Sequence, residues 1–99
     1  MTKTETNMLG SNSIEFSSFS MTQEPGQDGW DCSIVATLPL RIGKRRILVR
    51  GSISATQCTS ADVEPLFKKW VRNRLLGEIE QGQEPPETVH LGCFDHRIL

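Results

Sequence analysis

Between residues 30 and 56 apolar and polar positions alternate with a period of two on both sides of Gly43-Lys44. A glycine at the first central position of a two-residue loop meets the type II′ requirement, so the pattern predicts a hairpin flanked by Ile42 and Arg45. That register sets Leu40 opposite Ile47, Leu38 opposite Val49, Ala36 opposite Gly51, Ile34 opposite Ile53 and Cys32 opposite Ala55. All ten positions are small or apolar. The other side pairs Arg41 with Arg46, Thr37 with Arg50, Ser33 with Ser54 and Asp31 with Thr56, and only Pro39, Leu48 and Val35 are apolar there. A one-residue slip would mix the two sets, so one face meets a core and the other meets water. Pro39 is compatible with this pairing, because opposite Leu48 it occupies a non-hydrogen-bonded pair and its missing N–H points away from the hairpin partner.

Upstream, Ile14 and Phe16 share one parity while Phe19 and Met21 share the other. Either a bulge at Ser17-Ser18 or a strand buried on both faces produces that switch. Residues 23–29, QEPGQDG, carry the Pro-Gly and Asp-Gly pairs of a turn. Downstream, Val63, Leu66, Phe67, Trp70, Val71, Leu75 and Ile79 recur at helical spacing and predict one amphipathic helix. Thr59 or Ser60 are candidate caps, Pro65 suits an early helical position, and Gly77 or Gly82 can end the helix, with weakening expected beyond Gly77. Thr88 to Phe94 predicts a short last strand, with Val89, Leu91 and Cys93 on one side and His90, Gly92 and Phe94 on the other. Strands followed by one amphipathic helix imply a small α+β two-layer sandwich. It comprises an antiparallel sheet of three to four strands, ordered β-β-β-α with a possible final β, and the helix across one face. Phe67 and Trp70 would fill its core, and the strand order stays open.

Length bounds the rest. A chain of 99 residues with 36% hydrophobic residues makes a single domain over 13–99, and 1–12 read as a flexible polar tail. A chain of this size buries about 60 to 65% of its unfolded surface. No apolar run reaches the roughly 18 residues of a membrane span, and the N-terminus lacks the apolar region of a secretory signal. Three cysteines, Cys32, Cys58 and Cys93, form no disulfide framework and favour free thiols in a reducing cytoplasm.

Charge changes the picture most. Residues 41–74 hold nine basic and two acidic residues, a local balance of +7, and the remainder is −8, so the net −1 conceals a bipolar molecule. Arg41, Lys44, Arg45, Arg46 and Arg50 on the hairpin are the candidate partner-binding residues, since arginine's planar fork suits carboxylate or phosphate. Lys68, Lys69 and Arg72 make a second basic patch on the solvent side of the helix. The competing explanation for the hairpin is an edge kept soluble by charge. The acidic residues Glu78, Glu80, Glu84 and Glu87 read as solvated loop charges or as an acidic edge.

Chemistry is thin. His90-x-x-Cys93-x-x-His96 contains zinc-ligand types, with Cys58 or Asp95 as further ligands, but His90 and Cys93 fall on opposite faces of a regular strand, so no metal site is expected. Cys93 with His90 or His96 is the one nucleophile–base pair close in sequence, and no orienting group or oxyanion site accompanies it. Phosphate-loop, dinucleotide, metalloprotease and hydrolase-elbow motifs are absent, so neither catalysis nor a cofactor is expected. The sequence reads as a non-enzymatic interaction module, a regulator, inhibitor or immunity-type protein such as phages and mobile elements encode, that binds a larger protein. The alternative is a nucleic-acid-binding module using the arginine hairpin 41–50, although no aromatic stacking platform accompanies it. Homodimerisation is compatible with the exposed strand edges, and no membrane partner is expected.

Overall fold

A computed structural model describes residues 14–39 and 43–95. The predicted N-terminal tail, the hairpin-tip residues Leu40, Arg41 and Ile42, and His96 lie outside them. Strands β1 (Glu15–Thr22), β2 (Gly29–Pro39) and β3 (Lys44–Ser54) are followed by a short 3-10 turn (Ser60–Asp62), helix α1 (Val63–Glu80) and strand β4 (Thr88–Cys93). The strands form one sheet in the order β1-β2-β3-β4. This is the expected α+β arrangement of a sheet and one helix.

The sheet is mixed, not wholly antiparallel. β1–β2 and β2–β3 are antiparallel, but β4 runs parallel to β3. The helix carries the chain from the end of β3 back toward its start, and a strand entered from there must run the same way as β3.

In β1 the parity switch is a bulge. Phe16 faces Ala36, Met21 faces Cys32, and the register shifts between Ser17 and Ser20. Ser18 adopts φ 56°, so Ser18 and Phe19 together oppose Ile34, and both apolar pairs of β1 reach the same side of the sheet.

The hairpin keeps its predicted faces and loses its predicted register. Leu38 faces Arg45 and not Val49, Ala36 faces Ile47, Ile34 faces Val49, Cys32 faces Gly51 and Trp30 faces Ile53. Lys44 pairs with Pro39, so Gly43-Lys44 is not a two-residue turn; Gly43, at φ 77°, precedes the ladder. An even slip leaves every side chain on its face, so periodicity is blind to it. The observed pairing brings Gly29 so close to β3 that a Cβ would run into the Ile53 carbonyl. On its other sides β3 is also closely packed: at Gly51 a Cβ would stand 3.0 Å from the Trp70 ring and 3.2 Å from Leu91. Pro39 falls on the last pair of the ladder, where a missing N–H is tolerated.

Helix α1 begins behind Thr59, whose hydroxyl donates to Asp62 at 2.9 Å while the Asp62 N–H reaches the Thr59 carbonyl at 3.0 Å. It runs through Gly77 without a break and ends at Gly82. There φ is 76°, and the N–H groups of Gly82 and Gln83 donate to the carbonyls of Ile79 and Glu78 at 3.0 and 2.9 Å, a Schellman ending. Of the two endings expected, Gly77 and Gly82, the structure takes Gly82, and Arg74 bonds Glu78 at 3.0 Å across the turn beyond Gly77.

The core lies between α1 and one face of the sheet. Ile34, Ala36, Ile47, Val49, Val63, Phe67, Val71 and Leu75 are wholly buried. Trp70 is its centre, edge-on to Phe67 at 5.9 Å and to Phe94 at 5.1 Å, and Phe19 meets Phe67 at 6.1 Å. Leu66, Leu76 and Ile79 are half-buried against it. Phe94 reaches the core because β4 bulges opposite Gly51, with Gly92 at φ 77°. Val89, Leu91 and Phe94 therefore point inward, and His90 and Cys93 share the outer face. This corrects the strict alternation expected for β4, which set Cys93 with Val89 and Phe94 with His90.

Candidate functional site

The helix covers one face of the sheet, and among the described residues nothing covers the other, the bare face. Register assembles that bare face into rows, each contributed by neighbouring strands. Glu15, Thr37 and Arg46 form one row, and Ser17, Val35, Leu48 and Thr88 the next. Then come Ser20, Ser33, Arg50 and His90, followed by Thr22, Asp31, Ser52 and Cys93. Lys44 stands at the start of β3 opposite Pro39. The last two rows line one open groove of about 590 Å³.

The predicted basic residues separate in three dimensions. Lys44, Arg46 and Arg50 are exposed on the bare face, in one line down β3, and none of the three has an ion pair among the described residues. Arg45 lies on the helix side of the sheet, bound by its guanidinium to Glu84, with Leu38, Ile79 and Pro85 around it and its Nε buried without a hydrogen-bond partner among the described residues. It does not belong to the surface that Lys44 and Arg46 share, because alternation turns it away from them. Arg41 lies outside the described residues. On α1, Lys68 pairs with Glu64 at 2.7 Å, the Arg72 guanidinium sits 5.1 Å from the Phe16 ring centre, and Lys69 is exposed. The helix that carries these three packs on the other face of the sheet from Lys44, Arg46 and Arg50, so the described cations fall into separate areas.

His90 joins Arg50 on the bare face because β4 pairs with β3 ahead of the bulge. Cys93 joins them because of the bulge, and its readable signal was Gly92 beside Phe94: a large apolar residue with the wrong parity, adjoining a glycine able to bulge. His90 and Cys93 share this face, yet among the described residues no group of three or more histidine, cysteine and acidic side chains is placed to hold a metal ion. The Cys93 sulfur accepts from the Ser52 hydroxyl at 3.5 Å, so its partner among the described residues is a hydroxyl and not an imidazole.

The described cysteines are unpaired. Burial, then the Asp31 carboxylate, then Cys58 push the Cys32 thiol up from 9.0 to about 11, and burial followed by Asp62 raises Cys58. Neither has the lowered pKa of an activated nucleophile. No helix among the described residues is long and apolar enough to cross a membrane.

No protein-family model, no curated protein and no solved structure matches this chain.

Proposed function

We infer that this chain is a non-enzymatic protein-interaction module, a regulator or inhibitor that docks the bare face of its sheet onto an acidic surface of a larger protein. One observation carries the reading. Lys44, Arg46 and Arg50 stand along one strand with no ion pair among the described residues, whereas Arg45, Lys68 and Arg74 are each matched to a glutamate. Thr37 and Ser33 pair with Arg46 and Arg50, Glu87 and Thr88 line a shallow pocket with Lys44 and Arg46, and the half-buried Val35 and Leu48 offer a small apolar centre. Rigid backbone fixes their spacing, so a partner's carboxylates can be matched at little cost in loop ordering. Free thiols fit a reducing compartment such as the cytoplasm.

Nucleic-acid binding is the second reading, favoured by the linear run of cations along β3, a line that a phosphate backbone can track. Against it, no tryptophan, phenylalanine or tyrosine lies on the bare face among the described residues, so bases lack a stacking platform.

Affinity capture from native lysate, with and without nuclease and at low and high salt, separates the two. The expected result is a stoichiometric protein that survives nuclease and is lost when Lys44 and Arg46 are both changed to Glu, whereas Lys68→Glu leaves it bound. Nucleic acid that disappears with nuclease would transfer the same face to the second reading.

A further inference from the structure

The row formed by Ser20, Ser33, Arg50 and His90 carries more than charge. Neighbouring strands lie about 4.8 Å apart, so Arg50 on β3 is flanked at that distance by Ser33 on β2 and His90 on β4, with Ser20 one strand further. Ser20, Arg50 and His90 are exposed and Ser33 is half-buried, and all four line the same open groove. A guanidinium presents a planar fork of N–H donors, and each hydroxyl and imidazole adds another. That is more than the two oxygens of a carboxylate require. It suits the three acceptor oxygens and near-double charge of a phosphomonoester.

The surroundings favour one compact dianion over a polyanion. Asp31 lies on the adjoining row, where its carboxylate takes the Gln27 side-chain amide at 3.2 Å. A continuous phosphate backbone leaving by this end would meet that carboxylate, and a single phosphoryl group centred on Arg50 need not. In the other direction the apolar Val35 and Leu48 pair separates Arg50 from Arg46 and Lys44.

Resting on the reading of the bare face as the docking surface, we propose that this row seats a phosphorylated serine or threonine of the protein partner. Arg50 grips the phosphoryl oxygens with its fork, and Ser33 and His90 complete the seat. Lys44 and Arg46 contact acidic residues to one side of the phosphorylated position in the partner.

The test is a titration of the isotope-labelled full chain, followed by amide chemical shifts, with blocked phosphoserine amide as probe and blocked aspartate amide and a short oligothymidylate as comparisons. Phosphoserine should shift Ser33, Arg50, Ser52 and His90. Its affinity should fall about tenfold or more in Arg50→Ala and recover only in part in Arg50→Lys, which keeps the charge and loses the fork. Equal affinity for the aspartate amide, shifts that avoid these residues, or tighter oligothymidylate binding that depends on Lys44 and Arg46 as much as on Arg50 would each overturn the proposal. The two readings fail separately. Phosphoserine binding at Arg50 with partner capture indifferent to Lys44 and Arg46 removes the docking function and leaves the seat. Capture that needs Lys44 and Arg46, without phosphoserine binding, removes the seat alone.

Discussion

The two faces of the sheet are built from the same strands by the same alternation, and they do opposite work. On the covered face Ile34, Ala36, Ile47 and Val49 show no exposure at all, and Trp70 presses so close that Gly51 has no room for a larger residue without movement. On the bare face the corresponding neighbours are Ser33, Thr37, Arg46 and Arg50, whose side chains reach into solvent. Stability resides in the first face, because free energy follows buried apolar area and tight packing. The proposed recognition surface is the second, where Lys44, Arg46 and Arg50 have no ion pair among the described residues.

This division is open to direct attack. The largest effect expected is from Trp70→Ala, which empties the centre of the aromatic cluster and should cost about 3 to 5 kcal/mol in denaturant unfolding. A loss below 1 kcal/mol would mean that the covered face does not hold the fold. Next, Gly51→Ala should cost about 1 to 3 kcal/mol by forcing a methyl against Trp70 and Leu91.

The two helix glycines should part company. Gly82→Ala places a side chain at φ 76° and should destabilise by about 1 to 2 kcal/mol. Gly77→Ala, inside the helix with open space around it, should stabilise by about 0.5 to 1 kcal/mol. Equal effects would place the end of the helix elsewhere.

Cys32 predicts a pH dependence confined to the covered face. Its thiol stays neutral in the fold up to about 11, while an unfolded thiol ionises near 9.0. Ionisation therefore favours the unfolded chain first, so this contribution is complete below 9.0 and declines as pH rises toward 11. Cys32→Ala should flatten that part of the stability profile, and an unchanged slope would show that Cys32 is not its source.

The smallest effect on stability belongs to the bare face. Arg46→Glu and Arg50→Glu should each change unfolding free energy by less than about 0.5 kcal/mol while abolishing partner capture. A stability loss comparable to that of Trp70→Ala would make these arginines structural and collapse the distinction between the faces.

Much of the architecture could be read along the chain. The helical stripe from Val63 to Ile79, the alternation that buries Ile34 and Ile47, and the parity switch at Ser17-Ser18 are local patterns, and each marks which side of an element must leave water. The hairpin register was not legible in the same way. A slip of four positions preserves every face, and the glycine at 43 pointed to a two-residue loop that the pairing of Lys44 with Pro39 excludes. Alternation, not register, divides the described hairpin cations: Lys44, Arg46 and Arg50 face solvent, and Arg45 is held by Glu84.

Residue types and their spacing were enough to dictate the elements, the sides that they bury and the excess of positive charge between 41 and 74, because these depend on neighbours within a few positions. Which strands lie side by side, that β4 runs parallel to β3, and that His90 stands beside Arg50 depend on contacts between residues forty apart in the chain. Those contacts acquire energy only when α1 closes over the sheet and Phe94 swings in against Trp70, and so only the assembled fold could settle them.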